Sequence, residues 1–404
     1  ARANVKTPSQ QKRVTQEEAA YANAICTWQD DVLTHCDIAP LLHDYLGLTQ
    51  VLTLTQTCKS AQLSLFYITK EATYLTLKKQ INDGSVTCFC SSAACRGNFR
   101  VLQWAHEHGW QWDEHTCQKA AEHGQLTCLR YAHENGCKWN ECTCHMAALN
   151  GHLECLKYAH AHGCQWNEDT TDNASLHGHL DCLKYMHDNG CPWDEDTCTF
   201  AAKNDHLECL KYAHEQGCQW DELAVHWAAL HGHLVVLTYL HEHNCPWDAT
   251  TCSAAAYKGE LNCLAYAHEN GCQWNESTCH MAAQYGKLDC LTYAHEHDCP
   301  WDELTCNYAV EDGNLDCLRY AHEHGCPWDD QTCTTAAKGG HLDCLKYAYK
   351  NGCSVGRDAP ELAARYGHMA VLKWLHKHDC FWDKWTCAMA AEGGHLEILI
   401  WARE

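Results

Sequence analysis

"CPWDEDTCTFAAKNDHLECLKYAHEQGC", residues 191–218, holds four cysteines and two histidines in a stretch of 28 residues. Cysteine and histidine are ligands of structural zinc, cysteines pair as disulfides in secreted chains, and a buried cysteine packs as a small apolar side chain. The stretch alone does not decide among these three interpretations. The rest of the chain does, because similar sequences return at a fixed spacing.

A period of 27 residues governs the chain from residue 85 onward. Tryptophan occurs at every step of the period from Trp112 to Trp328, and the next two steps reach Val355 and Trp382. Ser85 marks a degenerate first copy. A fixed period of this length is the signature of a repeat architecture, in which each copy is one small structural unit. We therefore predict twelve consecutive units over residues 85–404, without insertion or deletion.

Each unit has the pattern of two short helices. In the quoted copy, Asp194 is a candidate N-cap followed by acidic residues, and Cys198, Ala201 and Ala202 then share one helical face. A second helix is expected from about residue 207 to 215, with Gly217 in the position of a helix-ending glycine. Helices this short are marginal alone in water. The units must therefore stack on one another to bury their apolar faces.

The cysteines occupy three columns of the repeat: two residues before Trp, five after it and sixteen after it. Other copies place different residues in the last two columns, namely Thr171, Val225 and Pro360 in one and Val236, Val371 and Ile398 in the other. Valine and isoleucine bind no metal and form no disulfide, yet they fill a similar volume. We interpret these columns as core positions. Metal binding and disulfide pairing remain alternatives, although the repeats lack the short Cys-x₂₋₄-Cys pairs typical of structural zinc sites.

The histidines also form columns. The column that follows Gly contains His152, His179, His206, His233 and His341 and alternates with Glu260, Lys287 and Asn314. This tolerance predicts solvent exposure. The column in Tyr-Ala-His contains His133, His160, His187, His214 and His268, which we expect to be half-buried where units meet. The tryptophan column is expected to fill the junction between units; an exposed ladder that stacks on a flat ligand is the alternative.

At this point the sequence resembles a known family. "AALNGHLECLKYAHAHGC", residues 147–164, resembles the core pattern of ankyrin repeats, and the resemblance recurs in register over residues 85–404. The repeat is shorter than the family's usual one, because Cys-Pro-Trp-Asp replaces the β-hairpin finger. Short-loop arrays of this kind are common in protists, algae and large DNA viruses. The resemblance implies an all-α, ankyrin-like α-solenoid of about twelve helix-turn-helix repeats that binds proteins.

Residues 1–84 lack the repeat. We expect residues 1–20 to be flexible, and residues 37–60, "DIAPLLHDYLGLTQVLTLTQTCKS", to form two short amphipathic helices. A helical cap over the first repeat is one interpretation, since a solenoid needs its end covered. The segment also resembles an F-box without the usual leading Leu-Pro, which implies docking to a cullin-type ubiquitin ligase adaptor. The F-box contacts would be Leu42, Tyr45, Leu46, Leu48, Val51 and Leu52.

Composition excludes several function classes. The formal net charge is −23, which argues against wrapping nucleic acid and against an anionic membrane surface. No apolar run suits a membrane span or a signal peptide, so we expect a cytoplasmic or nuclear protein with reduced thiols. The chain begins at Ala1, which leaves a removed leader open. No catalytic constellation is recognisable, so we expect no enzymatic activity and no cofactor.

The remaining hypothesis is recognition of a partner protein. Partner choice should depend on positions where the copies differ, which are six, seven, ten and eleven residues after Trp. The candidates are Lys119, His145, Met146, Phe200, His226, Trp227, Tyr257, His280, Tyr285 and Tyr308. Residues seven after Trp, such as Phe200, have packing between units as an alternative role. We expect either a substrate adaptor of a ubiquitin ligase or a structural subunit of a larger assembly, with a thiol- and histidine-based metal-binding protein as the distant alternative.

Overall fold

A computed structural model describes residues 89–380 and 382–403, and every regular element in this part is an α-helix. The helices form twelve consecutive pairs, one for each predicted unit. They are α1 Phe89–Cys95, α2 Phe99–Glu107, α3 Glu114–Glu122, α4 Leu126–Glu134, α5 Glu141–Leu149, α6 Leu153–Ala161, α7 Glu168–Leu176, α8 Leu180–Asp188, α9 Glu195–Lys203, α10 Leu207–Glu215, α11 Glu222–Leu230, α12 Leu234–Glu242, α13 Ala249–Lys258, α14 Leu261–Glu269, α15 Glu276–Gln284, α16 Leu288–Glu296, α17 Glu303–Glu311, α18 Leu315–Glu323, α19 Asp330–Gly339, α20 Leu342–Lys350, α21 Ala359–Arg365, α22 Met369–Lys377, α23 Lys384–Glu392 and α24 Leu396–Arg403.

The chain divides into two compact units. Of the described residues, the first unit contains 89–120 and 127–139, and the second contains 121–126 and 140–403. In the second unit, the first helix of each pair packs against the first helices of adjacent pairs, and the second helices pack likewise. Two parallel rows of helices result, which matches the predicted solenoid of helix-turn-helix repeats.

Ten of the twelve first helices begin directly after the aspartate or asparagine that follows Trp, and the exceptions, α1 and α21, belong to the copies without this Trp. The Asp194 carboxylate accepts a hydrogen bond from the backbone N–H of Asp196, and Glu195 lies in the first turn. The carboxylate thus satisfies a backbone donor that has no partner within the helix, and the acidic first turn interacts favourably with the helix dipole. The predicted N-cap is confirmed, and the same contact begins helices α11, α13, α17, α19 and α23.

The second helix ends in a Schellman motif, as the glycine at its end predicts. The Cys218 N–H donates to the Ala213 carbonyl and the Gly217 N–H donates to the His214 carbonyl. Gly217 has a φ of +89°, in the left-handed region that glycine adopts without steric penalty. The chain then turns directly into the next repeat, so no room remains for a β-hairpin finger.

The cysteine columns lie in the core. Cys198, Cys209 and Cys218 are each at most 4% exposed, and Val225 and Val236 occupy equivalent positions at 0% exposure. Burial raises the pKa of the Cys209 thiol to about 11, which favours its neutral form. The structure therefore answers the question of the quoted stretch: its cysteines are interior side chains of a helical stack.

Cysteines two residues before Trp also join consecutive repeats. The Cys218 thiol donates a hydrogen bond to the carbonyl of Asp194, at 3.0 Å and 24 residues earlier in the chain. The contact recurs between Cys245 and the Asp221 carbonyl, at 3.2 Å. A donor thiol thus pairs with the carbonyl of the preceding N-cap residue, which also accepts the first backbone hydrogen bond of its own helix.

Candidate functional site

The tryptophan column fills the junction between repeats. The His160 ring stacks on Trp166 with 3.6 Å between ring centroids, and its Nδ1 forms a 3.1 Å hydrogen bond with the Tyr185 hydroxyl of the next repeat. Trp166 meets Tyr185 edge to face. Burial lowers the pKa of His160, which favours the neutral ring. The His-Trp-Tyr triad is thus half-buried packing, as predicted for both columns.

The same triad repeats along the second unit. Its further copies are His187, Trp193 and Tyr212; His214, Trp220 and Tyr239; His241, Trp247 and Tyr266; His268, Trp274 and Tyr293; His295, Trp301 and Tyr320; and His322, Trp328 and Tyr347. In each copy the histidine already stacks on one face of the indole, and the tyrosine ring meets the indole at a steep angle. The arrangement does not present a stacking ladder to a flat ligand.

The histidine column after Gly differs from the prediction of solvent exposure. His152, His179, His206, His233 and His341 are all half-buried. The His179 Nε2 donates a 3.0 Å hydrogen bond to the carbonyl of Leu149, which ends the first helix of the preceding repeat. Asn314 makes the same link to the carbonyl of Gln284. The exchange of His for Asn therefore reflects a shared donor group and not a free surface position.

We define the first-helix row as the residues six, seven, ten and eleven after each Trp of the repeat, or after Val355 in the copy where valine replaces Trp. Eight of the ten predicted contact residues are half-buried there, while Tyr285 is 40% exposed and His280 is 7% exposed. The half-buried eight are Lys119, His145, Met146, Phe200, His226, Trp227, Tyr257 and Tyr308. Their partial exposure is compatible with both roles considered from the sequence, packing between units and contact with a partner.

Two members of the row form side-chain hydrogen bonds with the next repeat. The His280 Nε2 lies 2.6 Å from the Asp302 carboxylate, and the His145 Nε2 lies 2.8 Å from the Asn167 side chain. Asp302 and Asn167 are N-caps of the next first helix. His280 and His145 therefore position neighbouring helices, and the buried His280 offers little surface to a partner.

Other members of the row contact one another across repeats. The rings of Tyr257 and Tyr285 meet edge to face with 4.2 Å between centroids. The Lys203 ammonium lies 4.2 Å from the ring centroid of Trp227, within range of a cation–π interaction. Lys203 was not among the residues that the sequence singled out, although it occupies the tenth position after Trp. Its signal was a cation at a position where the adjacent copies carry the uncharged Leu176 and Leu230.

The described residues contain one group of three potential metal ligands, Asp172, Asp194 and Asp196, whose carboxylate oxygens lie within 4.8 Å of one another. Asp172 is buried and accepts a 2.7 Å hydrogen bond from the Thr197 hydroxyl. Burial raises the pKa of Asp172 to about 7, and the hydrogen bond from Thr197 opposes this shift. Asp172 thus has a structural partner, and this carboxylate group does not correspond to the thiol and histidine sites considered from the sequence.

The predicted F-box contacts lie outside the described residues. They are Leu42, Tyr45, Leu46, Leu48, Val51 and Leu52. Within residues 89–380 and 382–403, the helices are too short or too polar for any of them to cross a lipid bilayer.

Family models for ankyrin repeats match three segments of the chain: residues 117–168 and 306–349 match one model, and residues 172–251 match a second, three-copy model. No curated protein matches the chain. Among solved structures, the chain is similar to the crystal structure of the human ASB11 ankyrin repeat domain, with 20% identity and a TM-score of 0.39 over 44% of this chain and 96% of that chain. The two helix rows and the matched segments agree with the pattern read from the sequence, and residues 117–168, 172–251 and 306–349 therefore contain ankyrin repeats.

Proposed function

We propose that the chain is a scaffold that binds a partner protein through the first-helix row of its second unit. The observation that supports this proposal is the contrast between the two helix rows. The second helices repeat nearly the same sequence, such as Leu-Glu-Cys-Leu-Lys-Tyr-Ala-His, at 153–160 and again at 207–214. The first helices place Phe200, Trp227, Tyr257 and Tyr308 at half-exposed positions that packing does not require to be alike. Aromatic side chains are frequent anchors of protein interfaces.

Site-specific photo-crosslinking tests this proposal. A benzophenone amino acid placed at Phe200 or Tyr308 should capture partner proteins in cells. The matched control positions are Glu154 and Glu208, which lie on second helices with side chains 68% and 72% exposed. Equal capture from both rows, or none from the first-helix row, contradicts the proposal, because the partner would then not select that surface.

For the N-terminal segment, we propose the more specific role of a substrate adaptor of a ubiquitin ligase. The support is the hydrophobic pattern of residues 37–60, and the array would then hold the substrate. Co-purification of a cullin-type ligase with the full chain, lost on Leu42→Asp and Leu46→Asp substitution, is the expected result. Recovery of the chain in a stable stoichiometric complex that both variants leave intact would instead favour the structural subunit.

A further inference from the structure

A cluster of cations and aromatic rings stands out on a chain that has 52 acidic residues against 29 lysines and arginines. It lies on the first-helix row of four consecutive repeats in the second unit. We name it the basic–aromatic patch, and it consists of Lys203, Trp227, His231, Tyr257, Lys258 and Tyr285. Lys258 and His231 are exposed, Tyr285 is 40% exposed, and the others are half-buried.

Contacts join the patch into one surface. The Lys203 ammonium lies 4.2 Å from the centre of the Trp227 ring, and the Trp227 ring stacks on His231 at 5.7 Å. The Lys258 ammonium lies 5.2 Å from the ring centroid of Tyr257, which meets Tyr285 at 4.2 Å. Partial desolvation lowers the pKa of His231, and the nearby cationic groups, including Lys203 and Lys258, lower it further.

The two lysines have no carboxylate within salt-bridge distance among the described residues. The carboxylates of Glu260 and Asp205 lie near the lysine end of the patch, and each interacts with a histidine instead. Glu260 raises the pKa of His231, and the Asp205 carboxylate lies 3.9 Å from the Nδ1 of His233. By contrast, Arg365 in the same row is paired with Glu392 at 2.7 Å. Lys203 and Lys258 thus remain available for acids of another molecule.

The spacing of the two lysines sets the length of a segment that can pair with both. Lys203 and Lys258 lie two repeats apart, which is about 20 Å at the usual spacing of packed helices. An extended peptide covers that distance with about six residues. Desolvation raises the pKa of the Tyr285 hydroxyl, and beyond this ring the carboxylates of Glu311 and Asp312 lie close enough to raise it further. They would repel any further carboxylates of a bound segment. The surface therefore suits carboxylates at one end of a segment and an apolar side chain at the Tyr257–Tyr285 pair.

We propose that the basic–aromatic patch binds an extended acidic segment of a partner protein, with carboxylates paired to Lys203 and Lys258 and an apolar side chain against Tyr285. This inference rests on the proposed protein-binding function and names the chemistry of the partner. The ring faces hold both ammonium groups in place, so little side-chain freedom is lost on pairing. Nucleic acid fits less well, because it carries a phosphate at every nucleotide and the carboxylates around the patch would repel those phosphates.

The probe is a fluorescein-labelled peptide of about ten residues, with glutamates spaced for an extended chain and one phenylalanine near its C-terminus. Fluorescence polarisation with the full chain should show binding that weakens as salt screens the charges. The variant K203E/K258E should bind at least about tenfold more weakly. The matched control K338E changes an exposed lysine at the tenth position of another repeat and should bind within about twofold of the unaltered chain.

Three results overturn the inference: equal binding by K203E/K258E, equal binding of a peptide with glutamine in place of glutamate, or tighter binding of oligothymidylate of the same length. Circular dichroism of each variant checks folding, and K203Q/K258Q replaces the reversed pair if folding is lost. Tyr285→Ala should weaken the phenylalanine peptide but not an alanine version of it. If the peptide does not bind while Phe200 and Tyr308 still crosslink to a partner, only the inference of an acidic partner is wrong. If neither binding nor crosslinking is seen, the proposed function is wrong as well.

Discussion

At the level of single residues, Cys209 is the clearest representative of the core columns. Its side chain is 1% exposed, and Val236 fills the equivalent place one repeat later at 0%. Cys209→Val should shift stability by less than about 1 kcal/mol, because the two side chains have similar volume and polarity. Cys209→Asp should destabilise by about 3–5 kcal/mol, since it buries a charge without a partner. Urea denaturation followed by circular dichroism measures both.

The reciprocal change Val236→Cys is the control for Cys209→Val, and it should be equally mild. Equal tolerance of valine and aspartate at position 209 would show that the column is not interior. A strong loss on Cys209→Val, with metal retained by the unaltered chain through dialysis, would instead favour the thiol site that the sequence left as an alternative.

Asp172 carries a second prediction at this scale. Its pKa in the folded chain, about 7, lies above the ordinary value of 3.8 for an aspartate side chain. The stability associated with its protonated form is therefore complete below the unfolded pKa and is lost as pH rises through the folded pKa. Asp172→Asn keeps an acceptor for the Thr197 hydroxyl and cannot ionise. It should stabilise the chain by about 1–3 kcal/mol above pH 7 and have little effect near pH 4.

The chain contains its own control for this substitution. Asn307 occupies the position equivalent to Asp172 and accepts a 2.7 Å hydrogen bond from the Thr332 hydroxyl. Asn307→Asp should therefore destabilise with the opposite pH dependence, although less strongly, because Asn307 is only half-buried. Thermal melts across pH distinguish the cases; a pH-independent effect of Asp172→Asn would mean that Asp172 is ionised throughout.

At the scale of the helix pair, the glycine that ends a first helix lies against a side chain of the next repeat, which is a histidine in several repeats, such as His206 next to Gly178. Gly178 has a φ of +74°, and a Cβ there would lie 2.5 Å from the Nδ1 of His206. Gly217 ends a second helix at a φ of +89° with open space around it. Gly217→Ala should cost about 1 kcal/mol from backbone strain alone. Gly178→Ala should cost about 1–2 kcal/mol more, because the imidazole must also move.

A double-mutant cycle with His206→Ala separates the cost of backbone strain at position 178 from the cost of moving the imidazole, because the two residues are in contact. Removing the imidazole should reduce the excess effect of Gly178→Ala to that of Gly217→Ala. If both glycine substitutions are equally mild from the start, the histidine is not held against the preceding repeat, and its half-buried position is of no consequence for stability.

The contact between Gly178 and His206 also shows what could not be predicted from the sequence. The helix from 207 to 215, its Asp194-type caps and the buried columns were predictable, because they depend on neighbours within one repeat and on a visible exchange of Cys for Val. The role of His206 was not, because its contacts lie about one period away, in the preceding repeat. Exchange among His, Glu, Lys and Asn resembles exposure unless the backbone geometry is known. The basic–aromatic patch was missed for the same reason, since Lys203 and Lys258 are two repeats apart in sequence.

At the scale of the whole molecule, the repeated histidines couple stability to pH. Burial lowers the pKa of His160, His214, His268 and His295, each in a His-Trp-Tyr triad. For the last three, a second histidine nearby lowers the pKa further, whereas the adjacent glutamates Glu215, Glu269 and Glu296 raise it. The balance favours the neutral ring in the folded chain. Small effects at each junction add up in a repeat protein, because stability is close to a sum over repeats and their interfaces.

Replacing His160, His214, His268 and His295 together with leucine should flatten the dependence of the melting temperature on pH. A depressed folded pKa means that stability is complete above the unfolded pKa of about 6.5 and declines as pH falls through that value toward the folded pKa. Thermal melts between about pH 8 and about pH 5 measure the slope.

The intermediate control changes His243, His297 and His324 to glutamine, which removes the like-charge neighbours and leaves the triads in place. It should flatten the slope only in part, because burial is the larger cause. An unchanged slope in the leucine variant would mean that the triad histidines titrate as they do in water, and that the junctions between repeats are wetter than their packing indicates.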